Sequence, residues 1–294
     1  MIPLFRVVKT GVYASIQDRG RFGFRRFGMP VAGPMDQQAF RLGQEIIGNG
    51  EGGNALELFL GGLSLEVLSD HRIVITGADL GAVIDGEKAA PLWKTFLIRQ
   101  GQTISFTQPK NGSIAYIIPE GGLATEEVLG SCASYPRGVI GESIQKEHML
   151  YANAPKQQRF NRGLRSSNVP DYAQEITVEL YNSPHMDLFK SSSVETFLKS
   201  TYTYRGGDRM GYFFNGPPLE FISSGDIVSE ATQFGTVQVP SNGQPIILMA
   251  DAQTTGGYAT IGTVVQEDLP KVAQLRNGGQ VRFTYRTLEN DEQD

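Results

Sequence analysis

The feature that most constrains this chain is a set of short apolar runs that alternate with a period of two and stop at Gly, Pro or Asn. Residues 72–76, 103–107, 113–118, 175–181, 245–249 and 280–285 all have this form. A period of two puts one face of an extended segment toward a core and the other toward water, whereas a helix needs 3.6. Runs of this length between turn residues pair most readily as antiparallel barrels or sandwiches. The 294 residues include 35 Gly and 15 Pro, far more turn formers than long helices tolerate. The expected fold is mainly β with a few short helices.

Three helices are expected. In residues 34–47, Met35, Ala39, Leu42 and Ile46 recur at helical spacing, Pro34 suits the first turn and Gly48 can close the end. Residues 268–276 open on Asp-Leu-Pro and stop at Asn277-Gly278, and residues 194–199 form a weaker third candidate. Between the β-rich halves, residues 156–174 are polar and lack apolar periodicity. They read as a link between an N-terminal lobe, 1–160, and a C-terminal lobe, 175–294.

Composition narrows the function. Apolar residues make up 40% and charged residues 19%, the balance of a globular chain, with a net charge of −5. Nucleic acid is not an expected partner, because phosphate tracking calls for a basic face and Arg25-Arg26 is the densest basic pair. The single cysteine, Cys132, allows neither an internal disulfide nor a thiolate metal cluster, and reads as a small packing residue. With no signal-peptide pattern and no apolar run near the membrane-spanning length, the expectation is a cytoplasmic protein without metal or membrane partners.

Several standard motifs fail. Gly48-Asn49-Gly50-Glu51-Gly52-Gly53 matches the dinucleotide spacing but follows a helix rather than a strand, so a helix stop plus turn explains it. The chain has no P-loop, no H-E-x-x-H, no C-x-x-C and no G-x-S-x-G. His71, His148 and His185 are scattered and are expected at the surface or at strand ends.

Other segments combine glycine turns with polar groups: Gln17-Asp18-Arg19-Gly20-Arg21-Phe22-Gly23, Gly33-Pro34-Met35-Asp36, Ala55-Leu56-Glu57, Thr76-Gly77-Ala78-Asp79 and Pro119-Glu120-Gly121-Gly122. Further on come Asp208-Arg209-Met210-Gly211, Gln238-Val239-Pro240, Gly243-Gln244-Pro245 and Gln253-Thr254-Thr255-Gly256-Gly257-Tyr258. In this order, over nearly the whole chain, they resemble the KipA family of 5-oxoprolinase subunits, also described as allophanate hydrolase subunit 2. The resemblance implies paired cyclophilin-like β-barrel lobes. It also implies a subunit of an ATP-dependent complex that opens 5-oxo-L-proline to L-glutamate, with ATP as cosubstrate and KipI-like and LamB/YcsF-like partner subunits.

Two other functions follow from the same resemblance. One is a component of a biotin-dependent carboxyltransferase, as in urea carboxylase. The other is a non-enzymatic antagonist of a KipI-like sporulation-kinase inhibitor, which needs only an exposed interface. Ala252, Phe213 and Thr260 stand where the family pattern carries basic residues, which weighs against a carboxybiotin site.

A lactam amide is a poor electrophile, and phosphorylation of its oxygen creates a leaving group that water displaces. Such chemistry calls for anion clamps and an acid/base group. Asp251, leaving an apolar strand, is the first candidate for acid/base work and Asp79 the second; both positions also suit a turn former. Arg209 can clamp a carboxylate or phosphate with its planar fork, or pair with a neighbour such as Asp208. Gln253, Thr254, Thr255, Gly256, Gly257 and Tyr258 are donor-rich and suggest an anion-binding nest, or else a plain turn. Arg19 is a further binding candidate that can instead pair with Asp18, and Asp36 is expected to cap its helix.

Overall fold

The structure is a computed structural model that describes residues 1–154 and 161–286. The chain divides into two compact units. The first comprises Met1–Phe22 and Ala32–Tyr172, and the second Gly23–Val31 and Ala173–Asp294. Residues 156–160 of the expected link lie outside the described residues, and 161–172 group with the first unit. A short N-terminal segment, Gly23–Val31, therefore packs with the C-terminal residues, which no local pattern announces.

The first unit holds two open sheets. One runs in the order Met149–Ala152, Ile2–Thr10, Leu63–Val67, Thr103–Phe106, Ala82–Ile84, Lys88–Ala89. The other runs Tyr13–Gln17, Ala55–Phe59, Ile114–Pro119, His71–Gly77, Phe96–Ile98. Leu4, Val7, Leu65 and Ile104 from one sheet and Ile73, Ile75, Ala115 and Ile117 from the other join a single apolar core. The Ile114–Pro119 strand is buried at every position. The period-two reading of this run is corrected here: one of its faces meets that core and the other meets the helix Gln37–Ile47, so it is apolar throughout rather than alternating.

That helix begins at Gln37, later than the expected start at Pro34, and ends where expected. Asp36 caps it, its carboxylate accepting from the Ala39 amide at 2.8 Å, and Gly48 ends it with a left-handed φ of 78°. Close approach to the sheet depends on Gly43, where a Cβ would lie 2.3 Å from Ile118 Cδ1 and 2.8 Å from Thr76 Oγ1.

The second unit contains a closed seven-stranded barrel: Glu175–Asn182, Thr260–Val264, Thr236–Gln238, Ile246–Leu248, Gly211–Asn215, Tyr202–Gly207 and Gln280–Tyr285. The last strand returns to the first in parallel, Val178 opposite Phe283. Closure removes the free sheet edges. Aromatic rings fill the interior, with Phe197 of the helix Ser191–Lys199 stacked on Phe283 at 4.7 Å and Tyr204 against Tyr212 at 4.6 Å. A two-stranded ribbon, Asp226–Ala231 with Thr255–Tyr258, stands apart from the barrel sheet.

The mainly β class with short helices is observed. The two-barrel expectation is corrected, because the N-terminal unit has two open sheets and only the C-terminal sheet closes. Alternation is the same in both arrangements, so periodicity does not distinguish them. The helix expected over 268–276 is shorter, Leu269–Ala273, preceded by a 3₁₀ turn at Gln266–Asp268.

Candidate functional site

The barrel's pairing register builds the centre of the candidate site. Gly211 lies opposite Leu248, and the adjoining loops continue the match: Met249 N–H donates to Met210 O at 3.0 Å and Asp251 N–H to Arg209 O at 2.7 Å. Two residues far apart in sequence are thereby set side by side. Arg209 Nε donates to Asp251 Oδ2 at 2.9 Å and Nη2 to Oδ1 at 2.7 Å, a two-point fork. Both are buried, at 8% and 5% exposure, so this pair is not a solvent-screened surface bridge.

Asp251, proposed from the sequence as an acid/base group, is thus a two-point partner of Arg209, proposed from the sequence as a clamp. Asp208 shapes the hairpin turn, its carboxylate accepting from the Met210 amide at 2.7 Å. The fork also changes what these residues can do. An Arg bound at two points to a carboxylate already has its charge matched, and both oxygens of that carboxylate are engaged.

The segment after Asp251 is not a nest. Residues Thr255–Tyr258 form a strand of the ribbon, and neither Gly256 nor Gly257 has a positive φ, so their amides do not converge as in an anion-binding concavity. Ribbon and loop are tied by Thr232, whose amide donates to Thr254 O at 3.0 Å and whose hydroxyl donates to Gln253 O at 2.6 Å. Thr254 is buried, while Gln253, Thr255 and Tyr258 are exposed. The Gln253 carboxamide reaches Gln238 Oε1 at 3.4 Å, and Gln238 is 2% exposed with Nε2 lacking an acceptor among the described residues. Arg25, carried in by the Gly23–Val31 segment, donates to Thr232 O.

Beside this cluster lies a second polar chain. The Thr260 amide donates to His185 Nδ1 at 3.2 Å, which leaves Nε2 facing Glu230 at 3.3 Å. The Thr260 hydroxyl lies 2.6 Å from Ser183 Oγ and 3.0 Å from His185 Nδ1. Thr260, one of the positions where the family pattern is basic, is therefore committed to neutral hydrogen bonds.

The remaining candidates belong to the first unit. The Asp79 carboxylate accepts from the Gly81 amide at 2.8 Å and faces Lys110 at 3.4 Å, the bonding of a turn former. Arg19 is exposed and paired with Glu51 at 2.5 Å, not with Asp18. Asp18 instead accepts from the Gly20 amide, the Ser131 hydroxyl and the Cys132 amide. Burial, with the Asp18 charge nearby, pushes the Cys132 thiol up to about 11, which suits a packing residue. His71 is buried at the start of its strand, a strand end as expected, its Nε2 against Glu120 O at 2.8 Å.

Sequence reasoning passed over Arg21, Arg25, Gln238, Thr232 and His185. Arg21 is completely buried and donates to the carbonyls of Val128, Ser131 and Ala133. Arg21 and Gln238 already stood inside quoted motifs, and Arg25 in the densest basic pair. Thr232 carried no signal, and His185 was read only as one of three scattered histidines.

A closed β-barrel with a buried Arg–Asp fork, a carboxamide pair and an appended ribbon, joined in one chain to a unit of two open sheets, defines a two-part β module. This chain belongs to the carboxyltransferase domain family, subdomains A and B, whose model matches residues 27–285. It is homologous to the C component of the 5-oxoprolinase of Haemophilus influenzae, 36% identical over 94% of this chain and 89% of that protein. The same component of the Escherichia coli enzyme is 30% identical over 97% of this chain and 92% of the relative. Among solved structures, TTHA0988 superposes with a TM-score of 0.88 at 29% identity, covering 96% of this chain. This chain spans 55% of the length of that solved chain.

Among the described residues, no helix is long and apolar enough to cross a membrane.

Proposed function

We propose that this chain serves as the KipA-type component of an ATP-dependent 5-oxoprolinase that converts 5-oxo-L-proline to L-glutamate. The observation that carries the reading is the near end-to-end match to a subunit of that enzyme, 89% of the relative's length. The yeast urea amidolyase matches at 26% identity with only 17% of its own length. In this reading the chain works in the cytoplasm with two companions, a LamB/YcsF-like and a KipI-like subunit.

The Arg209–Asp251 fork holds the loop that carries Gln253 and Thr254, so it positions those groups rather than serving as a separate clamp and acid. ATP enters as a cosubstrate of the assembled complex. The carboxyltransferase relatives favour a second reading, action on a biotin-borne carboxyl group. The residues present do not fit it well. Ala252 is buried, Phe213 is an exposed apolar ring, and the Thr260 hydroxyl is engaged by Ser183 and His185. The cations such a site calls for are thus absent from these three positions.

The test is glutamate release from 5-oxoproline and ATP, measured with this chain alone and with its two companion subunits. Negligible turnover alone and robust turnover in the mixture is the expected result. Turnover that is the same with and without this chain overturns the assignment.

A further inference from the structure

The Arg209 fork is occupied by Asp251, so a negatively charged ligand needs another cation, and the second unit offers one. We infer that Arg25, Gln238 and Gln253 form an oxyanion-binding subsite, for a carboxylate or a phosphoryl group, over the face of Gly256. The inference rests on the proposed function only for the identity of the ligand.

Three independent observations converge on this spot. Arg25 donates to Thr232 O but meets no carboxylate among the described residues. By contrast, Arg19, Arg41 and Arg99 each pair with an acidic side chain. A guanidinium engaged by a neutral carbonyl keeps its full charge and several donors for a ligand. Second, Gln238 Nε2 is a buried donor without an acceptor among the described residues, an arrangement that is costly to retain and that an incoming oxygen relieves.

Third, the geometry at Gly256 puts Gln238 and Thr232, the residue that holds Arg25, around one point. A Cβ built there would lie 2.3 Å from Gln238 Nε2 and 3.0 Å from Thr232 Cγ2. Thr232 is the same residue whose carbonyl holds Arg25, so cation and orphaned donor flank one threonine. The missing side chain at 256 lets the carboxamide lie directly against the ribbon backbone. Exposed Gln253, held to Gln238 only by a 3.4 Å contact, adds a donor that can turn toward a ligand. Glu230, opposite Gly256 in the ribbon, is the nearby acidic group in register, and it faces His185 Nε2 at 3.3 Å.

The test is calorimetric titration of the full chain with 5-oxoproline, with glutamate and with inorganic phosphate. Saturable binding is expected, weakened roughly tenfold or more by Arg25→Ala, as loss of a charge-assisted contact implies. Gly256→Ala should weaken it comparably by displacing the Gln238 carboxamide, the flexible end of a side chain, so that the fold persists. Arg41→Ala, which removes an exposed helix-surface pair, should change neither affinity nor melting temperature. Binding of phosphate but not of the two carboxylates assigns the phosphoryl group as ligand, and the reverse assigns the carboxylate.

Absence of saturable binding by all three at millimolar concentrations, or an unchanged Kd in Arg25→Ala, overturns the site. The reconstituted complex separates this outcome from the proposed function. Turnover with an unaltered KM in Arg25→Ala removes the subsite and leaves the 5-oxoprolinase reading standing. Binding that depends on Arg25, in a complex without turnover, does the opposite.

Discussion

Removing one partner of the Arg209–Asp251 fork should destabilise the second unit strongly. Both groups are more than nine-tenths buried and joined at 2.7 and 2.9 Å, so Arg209→Ala leaves a carboxylate in a poorly solvated place without its counter-charge. Breaking a buried pair in this way costs about 3–5 kcal/mol, well above the ~0–1 kcal/mol of an exposed pair. For a unit of this size that corresponds to a fall of roughly 10–20 °C in Tm. Arg209→Lys should recover part of the loss, because an ammonium supplies the charge but not the two-point fork.

The assay is thermal and denaturant unfolding of Arg209→Ala, Asp251→Ala and the double variant. The double should lose less than the sum of the singles, since removing both charges leaves neither one stranded, and the cycle should return a coupling of at least about 1 kcal/mol. Additive losses, or a Tm for Arg209→Ala within about 2 °C of the parent, would show that the fork does not hold the loop, because even 1 kcal/mol shifts Tm further than that.

Two further outcomes follow from packing and titration. Gly43→Ala should destabilise the first unit by about 1–3 kcal/mol in chemical unfolding, because its Cβ meets Ile118 and Thr76. A gain of about 1 kcal/mol instead, as helix propensity alone predicts, would show that the helix can shift away from the sheet. Burial pushes the phenols of Tyr202 and Tyr285 up to about 12, and burial with the Asp208 charge does the same for Tyr204. These raised values favour the neutral folded form, so their contribution to stability is complete below the unfolded value of about 10 and is lost as pH rises toward 12. Tyrosinate absorbance should therefore rise together with barrel unfolding across that window, and a full tyrosinate signal near pH 10 with the barrel intact would contradict it.

The sequence was most legible where the physics is local. The Asp36 cap and Gly48 stop act within a turn or two of backbone, and the structure has both. The period-two run at 280–285 became a strand over the same residues, since alternation follows from backbone pleat alone. The polar motifs around 209 and 251 were recognisable as special because they carry more donors and charge than a turn requires. Their roles were not recognisable, because a lone Arg reads equally well as a clamp or as half of an ion pair.

By itself, then, the sequence determined the secondary-structure class, the principal helix and its stop at Gly48, the ordered motif set and the family. The tertiary structure decided which sheet closes, and which charges are already matched. Arg209 and Asp251 are 42 positions apart and meet because the Gly211–Asn215 and Ile246–Leu248 strands pair. Arg25 and Thr232, 207 positions apart, meet because Gly23–Val31 packs with the C-terminal unit. Local propensity acts over a few residues, whereas the partner of a buried charge is selected by sheet register and barrel closure, and those are properties of the whole packed chain.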